Sequence, residues 1–170
     1  MDNIHIRQLL PEDWEHLRDV RLYALQHDPQ YFGSNYAREA AFTPDIWQER
    51  LANPLSATFG LFKDSELIGI TGILTCREDP KGETALMVMS FIKTEHRGQG
   101  YAKLFYEARI AWAKEQPHIK KIVVGHREGN EASRRANQRF GFEHIGQKMT
   151  SWPDGQEALE HSYMLKLEGF

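Results

Sequence analysis

The sequence predicts an α/β (α+β) fold with a mixed, mostly antiparallel central sheet of about seven strands and helices on both faces. Residues 85–92 (ALMVMSFI) are apolar at nearly every position, and a strand that is apolar on both faces is covered on both sides. A helical pattern separates this run from the next apolar run, residues 122–124, and a parallel pair of strands requires such a crossover. The other strand patterns are joined by short turns, which indicates antiparallel neighbours.

The chain begins with a predicted strand followed by a helix. Within residues 4–9, Ile4 and Ile6 alternate with polar residues, which is a strand pattern. Pro11 suits the first turn of a helix. The helix ends near residue 27, because Asp28 precedes a proline and is biased away from the α region.

An irregular aromatic segment, residues 30–41, precedes a second short helix over about residues 44–53. Its aromatic residues are Tyr31, Phe32 and Tyr36. They either pack in the core or form one wall of a substrate cleft, since connecting segments often carry specificity.

The centre of the chain is predicted to be an antiparallel meander. Residues 58–62 and 67–74 form a hairpin, and residues 85–92 add the third strand. Gly69 and Gly72 lie inside the second strand, which indicates a bulge or a close approach of two backbones.

The last third is predicted to be helix, strand, helix and two strands. Apolar residues in the first helix recur at helical spacing, at Tyr101, Leu104, Phe105, Ala108, Ala111 and Trp112. A strand follows over residues 119–125. The second helix covers about residues 130–140 and has Gly141 as its C-terminal cap. The final strands are residues 142–148 and 159–167.

Composition is that of a single globular domain spanning residues 1–170. Apolar residues make up 41% and the formal net charge is −3, which argues against a nucleic-acid partner bound through a general basic field. No stretch approaches the roughly 20 apolar residues of a membrane span. The single cysteine, Cys76, excludes an intramolecular disulfide and indicates a reducing, cytoplasmic location.

A glycine turn lies between the central strand and the helix after it. It contains Gly98 and Gly100, and a helix that begins after such a turn directs free N–H groups and a partial positive charge into it. That arrangement is an anion site, usually for phosphate, although many α/β proteins use such glycines only to make the turn. The sequence lacks G-x-x-x-x-G-K-[ST], and Lys103 stands where G-x-G-x-x-G needs its third glycine.

The turn R-G-Q-G-Y-A resembles the acyl-coenzyme A loop of the GNAT N-acetyltransferases, Q/R-x-x-G-x-G/A, with Arg97, Gly100 and Ala102 at its defined positions. Residues 92–96 (IKTEH) resemble the family's V-x-P-E-Y lead-in. Residues 130–142 (NEAS…GF) resemble its N-x-x-A/S…G-F segment. The predicted order of strands and helices is also that of the GNAT fold.

The resemblance implies an acetyl-CoA-dependent N-acetyltransferase that moves an acetyl group directly to a primary amine. The cofactor's pyrophosphate would lie on backbone amides of residues 97–102. Its pantetheine arm would pair with backbone groups near residues 91–93, where the family's sheet splays, and with Asn130 on the other side. The implied cofactor-binding residues are Phe91, Ile92, Lys93, Arg97, Gly98, Gln99, Gly100, Tyr101, Ala102, Asn130, Ser133 and Asn137.

Three cations are candidates for the cofactor's phosphate charges: Arg97, Lys103 and Arg134. For Lys103 and Arg134 the alternative is a solvated helix surface. Asn130, Ser133 and Asn137 share one helical face by their spacing, which favours contact with a ligand.

The candidate catalytic residues are Asn137 and Glu83, at positions compared with the family, and Ser90, a polar interruption in the apolar run of residues 85–92. Asn137 occupies the position where many family members carry a tyrosine. Its amide can hydrogen-bond the sulfur but has no proton to give, so proton donation falls to another residue, to water or to the product. Glu83 is a candidate base or an ordinary turn carboxylate; Ser90 either faces the thioester or is satisfied by a backbone bond. The backbone N–H of Ile92 is a candidate donor to the oxyanion.

The expected acceptor is a small-molecule amine. One wall of its binding site is predicted to contain Tyr31, Phe32 and Tyr36. The acidic net charge favours cationic acceptors such as amines and polyamines. A protein or peptide amine acetyltransferase is the alternative, as is a non-catalytic acyl-CoA-binding sensor domain. The eight histidines show no metal-ligand spacing, so no metal is predicted. Exposed edge strands make a homodimer reasonable.

Overall fold

The computed structural model describes residues 3–167, which contain one seven-stranded sheet with helices on both faces. The predicted fold class is confirmed. The strands are β1 (Ile4–Gln8), β2 (Ser56–Lys63), β3 (Glu66–Thr75), β4 (Thr84–Ile92), β5 (Lys121–Arg127), β6 (Glu143–Ser151) and β7 (Glu157–Lys166). The helices are α1 (Trp14–His27), α2 (Tyr36–Ala40), α3 (Pro44–Ala52), α4 (Ala102–Glu115) and α5 (Glu131–Arg139). No helix within residues 3–167 is long and apolar enough to cross a membrane.

The strands lie in the order β1-β2-β3-β4-β5-β7-β6. Every neighbouring pair is antiparallel except β4 and β5, which are parallel and are joined by the crossover through α4. The sheet is therefore mixed and mostly antiparallel, and the predicted meander of β2, β3 and β4 is present.

One face of the sheet is covered by α1 and α3. The short helix α2, which lies inside the segment predicted to be irregular, is the one α-helix that the sequence pattern misses among residues 3–167. Five residues are too few to show a helical period, and α2 depends on its cap: the side chain of Asn35 accepts a hydrogen bond from the N–H of Arg38 at 2.8 Å.

The buried ion pair between Arg21 of α1 and Glu39 of α2 fixes these helices to each other. Glu39 is only 1% exposed. Its two carboxylate oxygens accept from Nε and Nη2 of Arg21, both at 3.0 Å, and Arg50 of α3 donates to it at 3.3 Å. Burial opposes the ionisation of Glu39, but the hydrogen bonds and charge of Arg21 hold its pKa below the ordinary value. Arg21 can therefore occupy a buried position on the otherwise apolar face of α1, because Glu39 of α2 supplies its carboxylate partner.

The other face of the sheet is covered by α4 and α5. The buried face of α4 is rotated slightly from the predicted one: Ala111 is exposed, whereas Tyr106 and Arg109 are buried. An apolar pattern alone does not find these two positions, because both side chains carry polar groups into the interior.

Strand β4 has a bulge near its C-terminal end. Gly72 of β3 lies opposite Val88, whereas Ile70 lies opposite Phe91, so β4 contains an additional residue there. Met89 takes a left-handed φ of 61° within it. The close backbone approach expected at Gly69 is also present, since a Cβ added there would lie 2.9 Å from the carbonyl oxygen of Phe91.

Candidate functional site

The parallel strands β4 and β5 stay paired over only three residue pairs, the last being Leu86 with Val123. Beyond these pairs the strands diverge, and a cleft of about 240 Å³ opens between them, flanked by α4 and α5. A larger but shallow depression of about 450 Å³ lies between Pro11 and α3 and contains no predicted site residue. The cleft is lined by Tyr31, Phe32, Met87, Val88, Met89, Ser90, Ala102, Phe105, Tyr106, Arg109, Val124, Gly125, His126, Asn130, Ala132, Ser133, Ala136 and Asn137.

The glycine turn lies directly before the uncapped N-terminus of α4. Gly98 and Gly100 have φ values of +76° and +82°, and a Cβ added at either would find no atom within 4 Å. The first turn of α4 has neither a side-chain cap nor an acidic residue. Its N–H groups and its partial positive charge are therefore free to act on an anion. This geometry fits the predicted pyrophosphate cradle.

The side chain of Arg97 turns away from this cradle. Its Nε donates to the carbonyl oxygen of Ile92 at 2.7 Å, and its Nη2 pairs with Asp28 at the end of α1 at 2.5 Å. The guanidinium thus holds the turn against α1, so its charge is already paired.

The other two cations predicted for phosphate are paired with carboxylates of their own helices. Lys103 lies 3.6 Å from Glu107, and Arg134 lies 2.6 Å from Glu131. Both side chains are exposed enough to fit the alternative of a solvated helix surface.

Asn130 and Ser133 begin helix α5 at the rim of the cleft. The Oδ1 of Asn130 accepts from the N–H of Ser133 at 3.2 Å, which caps the helix. This leaves the Nδ2 of Asn130 as the group that can donate to a ligand.

Five further residues predicted to bind the cofactor do not line the cleft: Phe91, Ile92, Lys93, Gln99 and Tyr101. Phe91 is 4% exposed and packs against α1, and Ile92 and Tyr101 pack on the opposite face. The ammonium of Lys93 lies 6.0 Å from the centre of the Tyr23 ring. Gln99 is exposed in the turn.

Asn137 lies at the closed end of the cleft and is hydrogen-bonded to Tyr106. The Tyr106 hydroxyl donates to Oδ1 of Asn137 at 2.5 Å, and Asn137 is 1% exposed. The Nδ2 of Asn137 is buried without a hydrogen-bond partner among the described residues. A buried amide donor with no protein acceptor is costly, and here it lines a cavity. Burial raises the pKa of Tyr106, and the charge of Arg109 opposes that shift.

Ser90 lies on the exposed side of the β4 bulge. Its Oγ lies 2.7 Å from Oγ1 of Thr71 on β3. The hydroxyl is thus satisfied by a side chain rather than by the backbone, and it still lines the cleft.

Glu83 is not brought to the cleft. It precedes β4 at the opposite end of the strand from the bulge, and its carboxylate lies 2.6 Å from the ammonium of Lys120. The hydrogen bond from Lys120 holds the pKa of Glu83 below its ordinary value. Its position and its ion pair match the turn carboxylate of the alternative prediction.

Three lining residues with ionisable side chains were not predicted from the sequence: Tyr106, Arg109 and His126. Tyr106 and Arg109 are three residues apart on α4 and therefore lie on the same side of that helix. This spacing is a signal that the sequence offers. His126 follows the apolar run of β5; its Nδ1 lies 2.9 Å from the carbonyl oxygen of Arg127, and its Nε2 lies 3.2 Å from the Tyr163 hydroxyl.

Of the predicted acceptor wall, Tyr31 and Phe32 line the cleft, whereas Tyr36 does not. Arg127 holds this wall to the turn between β6 and β7. It donates to the carbonyl oxygen of Gln30 at 3.1 Å and to Asp154 at 2.7 Å.

The family of the chain follows from a comparison of the whole sequence. A model of the GNAT acetyltransferase domain matches residues 3–143. The chain belongs to this family. GNAT acetyltransferases take their acetyl group from acetyl-CoA, so the predicted enzyme class and the predicted cofactor are confirmed. No curated protein matches the chain.

Solved structures share the fold at low sequence identity. An N-acetyltransferase from Staphylococcus aureus Mu50 has a TM-score of 0.82 and 22% identity over 98% of this chain and 99% of that chain. The yncA protein from Salmonella typhimurium, solved with its cofactor acetyl-CoA, has a TM-score of 0.82 and 17% identity over 99% and 96%. RimL, a ribosomal L7/L12 alpha-N-protein acetyltransferase in complex with coenzyme A, has a TM-score of 0.78 and 14% identity over 97% and 94%.

Proposed function

We propose that this GNAT acetyltransferase moves the acetyl group of acetyl-CoA directly to the primary amine of a small molecule. The observation that carries the proposal is the cleft between β4 and β5. It runs beside an uncapped helix N-terminus and ends at a buried amide donor that has no acceptor within residues 3–167. A second feature, the link made by Arg127 across the acceptor side, supports the small size of the acceptor.

The residues present fit acetyl-CoA, which would supply an acetyl group activated as a thioester. Backbone amides of residues 97–102 would hold its pyrophosphate, since Gly98 and Gly100 leave that surface open. Backbone groups of residues 91–93 and the Nδ2 of Asn130 would hold its pantetheine arm. Beyond Leu86, β4 has no strand partner on the β5 side among the described residues.

Asn137 would hydrogen-bond the sulfur through its Nδ2. Because the Tyr106 hydroxyl donates to Oδ1, the amide is oriented with its N–H groups toward the cleft. A donor fixed in this way stabilises negative charge on the sulfur without having to reorient. Tyr106 acts in this scheme as a positioning residue, and the tyrosine that many family members carry at position 137 is replaced by the pair.

His126 would take the proton of the incoming amine. An amine with a pKa of about 10 is mostly protonated at neutral pH, so a proton acceptor is needed. The described lining residues of the cleft include no carboxylate, and His126 is the one imidazole among them, a type of side chain that serves as a general base in many enzymes. Its Nδ1 faces a carbonyl oxygen and so carries the hydrogen, which leaves Nε2 as the basic nitrogen.

The acceptor side of the cleft favours a small molecule over a protein terminus. Arg127 connects the carbonyl oxygen of Gln30 with Asp154 and Gln156, at 3.1, 2.7 and 3.0 Å. This link joins the segment after α1 to the β6–β7 turn and closes the rim between them. RimL acts on a protein N-terminus by its description, so peptide amines are the comparison in the test.

We also propose a cytoplasmic location, which rests on the unpaired thiol of Cys76. A homodimer would form at the outer strand β6, where Ile145 and Met149 are 52% and 62% exposed.

The test has two steps. Acetyl-CoA at 100 times its dissociation constant should add about 2.7 kcal/mol to the free energy of unfolding, and the absence of any thermal shift would refute the cofactor site. Release of free thiol from acetyl-CoA is then measured with a panel of small amines and a panel of peptides. If only the peptides are acetylated, the acceptor is a protein rather than a small molecule. If acetyl-CoA binds but neither panel is acetylated, the domain is a sensor.

A further inference from the structure

Arg109 is a buried cation that lines the cleft and has no carboxylate partner among the described residues. It is 2% exposed and lies on the inward face of α4. Its Nε donates to the carbonyl oxygen of Phe105 at 3.1 Å, and its guanidinium carbon lies 4.9 Å from the centre of the Tyr106 ring. These contacts use one N–H of five and leave both Nη groups without a protein acceptor in residues 3–167.

The other enclosed guanidinium groups in the part of the chain that the structure describes are paired with carboxylates. Arg21, 8% exposed, makes a bidentate pair with Glu39. The side chain of Arg127, 11% exposed, pairs with Asp154 at 2.7 Å. Arg109 is more deeply buried than either and faces the cavity instead of a carboxylate.

An unpaired buried charge is expensive, whereas an apolar side chain of similar length would pack at this position without that cost. Burial lowers the pKa of Arg109 to about 10, so the group is still a cation at neutral pH. An anion that entered the cleft beside Arg109 would offset this cost.

We infer that Arg109 binds a carboxylate group carried by a ligand in the acetyl-transfer cleft. The inference rests on the proposed function and narrows its substrate. The two Nη groups form a planar edge that matches the two oxygens of a carboxylate. The carboxylate belongs either to the acceptor amine, which is then an amino acid, or to the acyl chain of the donor thioester.

The cofactor's own phosphates are placed elsewhere. Arg109 lies seven residues after Ala102, which is about 10 Å along the axis of α4 from the anion-binding turn. A polyamine is also disfavoured, because the lining offers a cation and no carboxylate. The acidic net charge of the chain was expected to favour cationic acceptors, but the acidic residues responsible for it do not line the cleft.

The experiment has two arms that separate the two sources. In the acceptor arm, binding by calorimetry and kcat/KM are compared for amino acids and for their carboxamides, with acetyl-CoA as donor. In the donor arm, the dissociation constants of succinyl-CoA and butyryl-CoA are compared; both acyl chains have four carbons, and only the first ends in a carboxylate. The native chain should prefer the carboxylate in one arm by about tenfold or more, the value of a charged hydrogen bond.

Variants then assign the preference to Arg109. Arg109→Gln and Arg109→Met should reduce the preference to near one, and the Met variant should keep the thermal midpoint of the native chain because it packs without charge. Lys114→Gln, on the exposed side of the same helix, should retain the preference. Equal binding of charged and neutral ligands in both arms, or a preference that survives both Arg109 variants, would overturn the inference. If acetyl-CoA still binds and amines are still acetylated under those outcomes, the proposed function stands and only the inference about Arg109 fails.

Discussion

The hydroxyl of Tyr106 donates to Oδ1 of Asn137 across 2.5 Å, and this bond joins α4 to α5 at the closed end of the cleft. Both residues are buried, at 7% and 1% exposure. The bond determines which end of the Asn137 amide faces the ligand. A tyrosine at position 137 would present a single hydroxyl to the cleft. Asn137 instead presents an amide N–H group, and the bond from Tyr106 fixes the direction of that group.

Tyr106→Phe should lower kcat by about tenfold, because Asn137 loses the bond that orients its donor, and should destabilise the fold by about 1–3 kcal/mol, the cost of an unsatisfied buried acceptor. Asn137→Ala removes the donor itself and should lower kcat by about a hundredfold. Tyr36→Phe, at an exposed position, is the control. Unchanged kcat in both cleft variants would exclude a role for the pair in the reaction.

His126→Gln should lower kcat/KM for the acceptor amine by about a hundredfold, if Nε2 takes the proton of the amine. The glutamine amide keeps roughly the size of the side chain but cannot accept a proton. The rate is measured with one acceptor amine and saturating acetyl-CoA. An unchanged kcat/KM in the variant would assign proton uptake to water.

Gly100→Glu should abolish the thermal shift produced by acetyl-CoA. The substitution puts a carboxylate at the predicted pyrophosphate site and a Cβ on a residue with φ of +82°. Gly82→Glu is a matched control, because its φ of +65° gives a similar backbone penalty at a turn outside the cleft. Both variants should lose stability, and only Gly100→Glu should lose the cofactor.

Asp28→Asn should tighten the binding of acetyl-CoA about two- to fivefold, which corresponds to the value of a surface ion pair. The change releases Arg97 from its carboxylate, so its charge becomes available to the phosphates beside the turn. The gain should fall with rising salt. Weaker binding in Asp28→Asn would mean that holding Arg97 against α1 matters more than its charge.

Glu39→Gln should lower the free energy of unfolding at pH 7 by about 3–5 kcal/mol, because it leaves Arg21 as a buried charge without its partner. The folded-state pKa of Glu39 is below its ordinary value of 4.5. Its stabilisation is therefore complete above pH 4.5 and is lost as the pH falls through the lower folded-state pKa. The difference between native and variant in denaturant unfolding should shrink over that acid range. Asp19→Asn, which removes an exposed pair with Arg18, should cost about 0–1 kcal/mol.

Most of the fold could be predicted because its elements carry strong local patterns. The run of β4, the glycine turn and the helical spacing after it depend on residues close together in the chain. Strand ends were less accurate: β5 reaches Arg127, two residues past its predicted end, because pairing with β7 continues after the apolar run ends. Gly69 and Gly72 of β3 indicated a bulge or a close approach in this region, but they could not show that the additional residue lies in β4 beside Met89, because that depends on register between the two strands.

The geometry of the glycine turn and of Asn130 was more predictable than that of the proposed catalytic residues. The positive φ values of the turn and the cap made by Asn130 are local features, which sequence motifs encode. Tyr106 reaches Asn137 from a helix 31 residues away, and such a contact exists only once α4 and α5 are packed together. Glu83 was a candidate by its position in the strand, but the opposite end of that strand borders the cleft.

The three-pair junction between β4 and β5 has a consequence for how this enzyme tolerates sequence change. Where the strands part, β4 keeps main-chain N–H and C=O groups that no strand on the β5 side satisfies among the described residues. In the function proposed above, these groups would pair with the amides of the pantetheine arm, and they are present whatever side chains the strand carries. Donor recognition would then depend little on residue identity, and selectivity would depend on side chains such as Tyr106, Arg109 and Asn137. Substitutions at these three positions would be the first to test for a change of substrate.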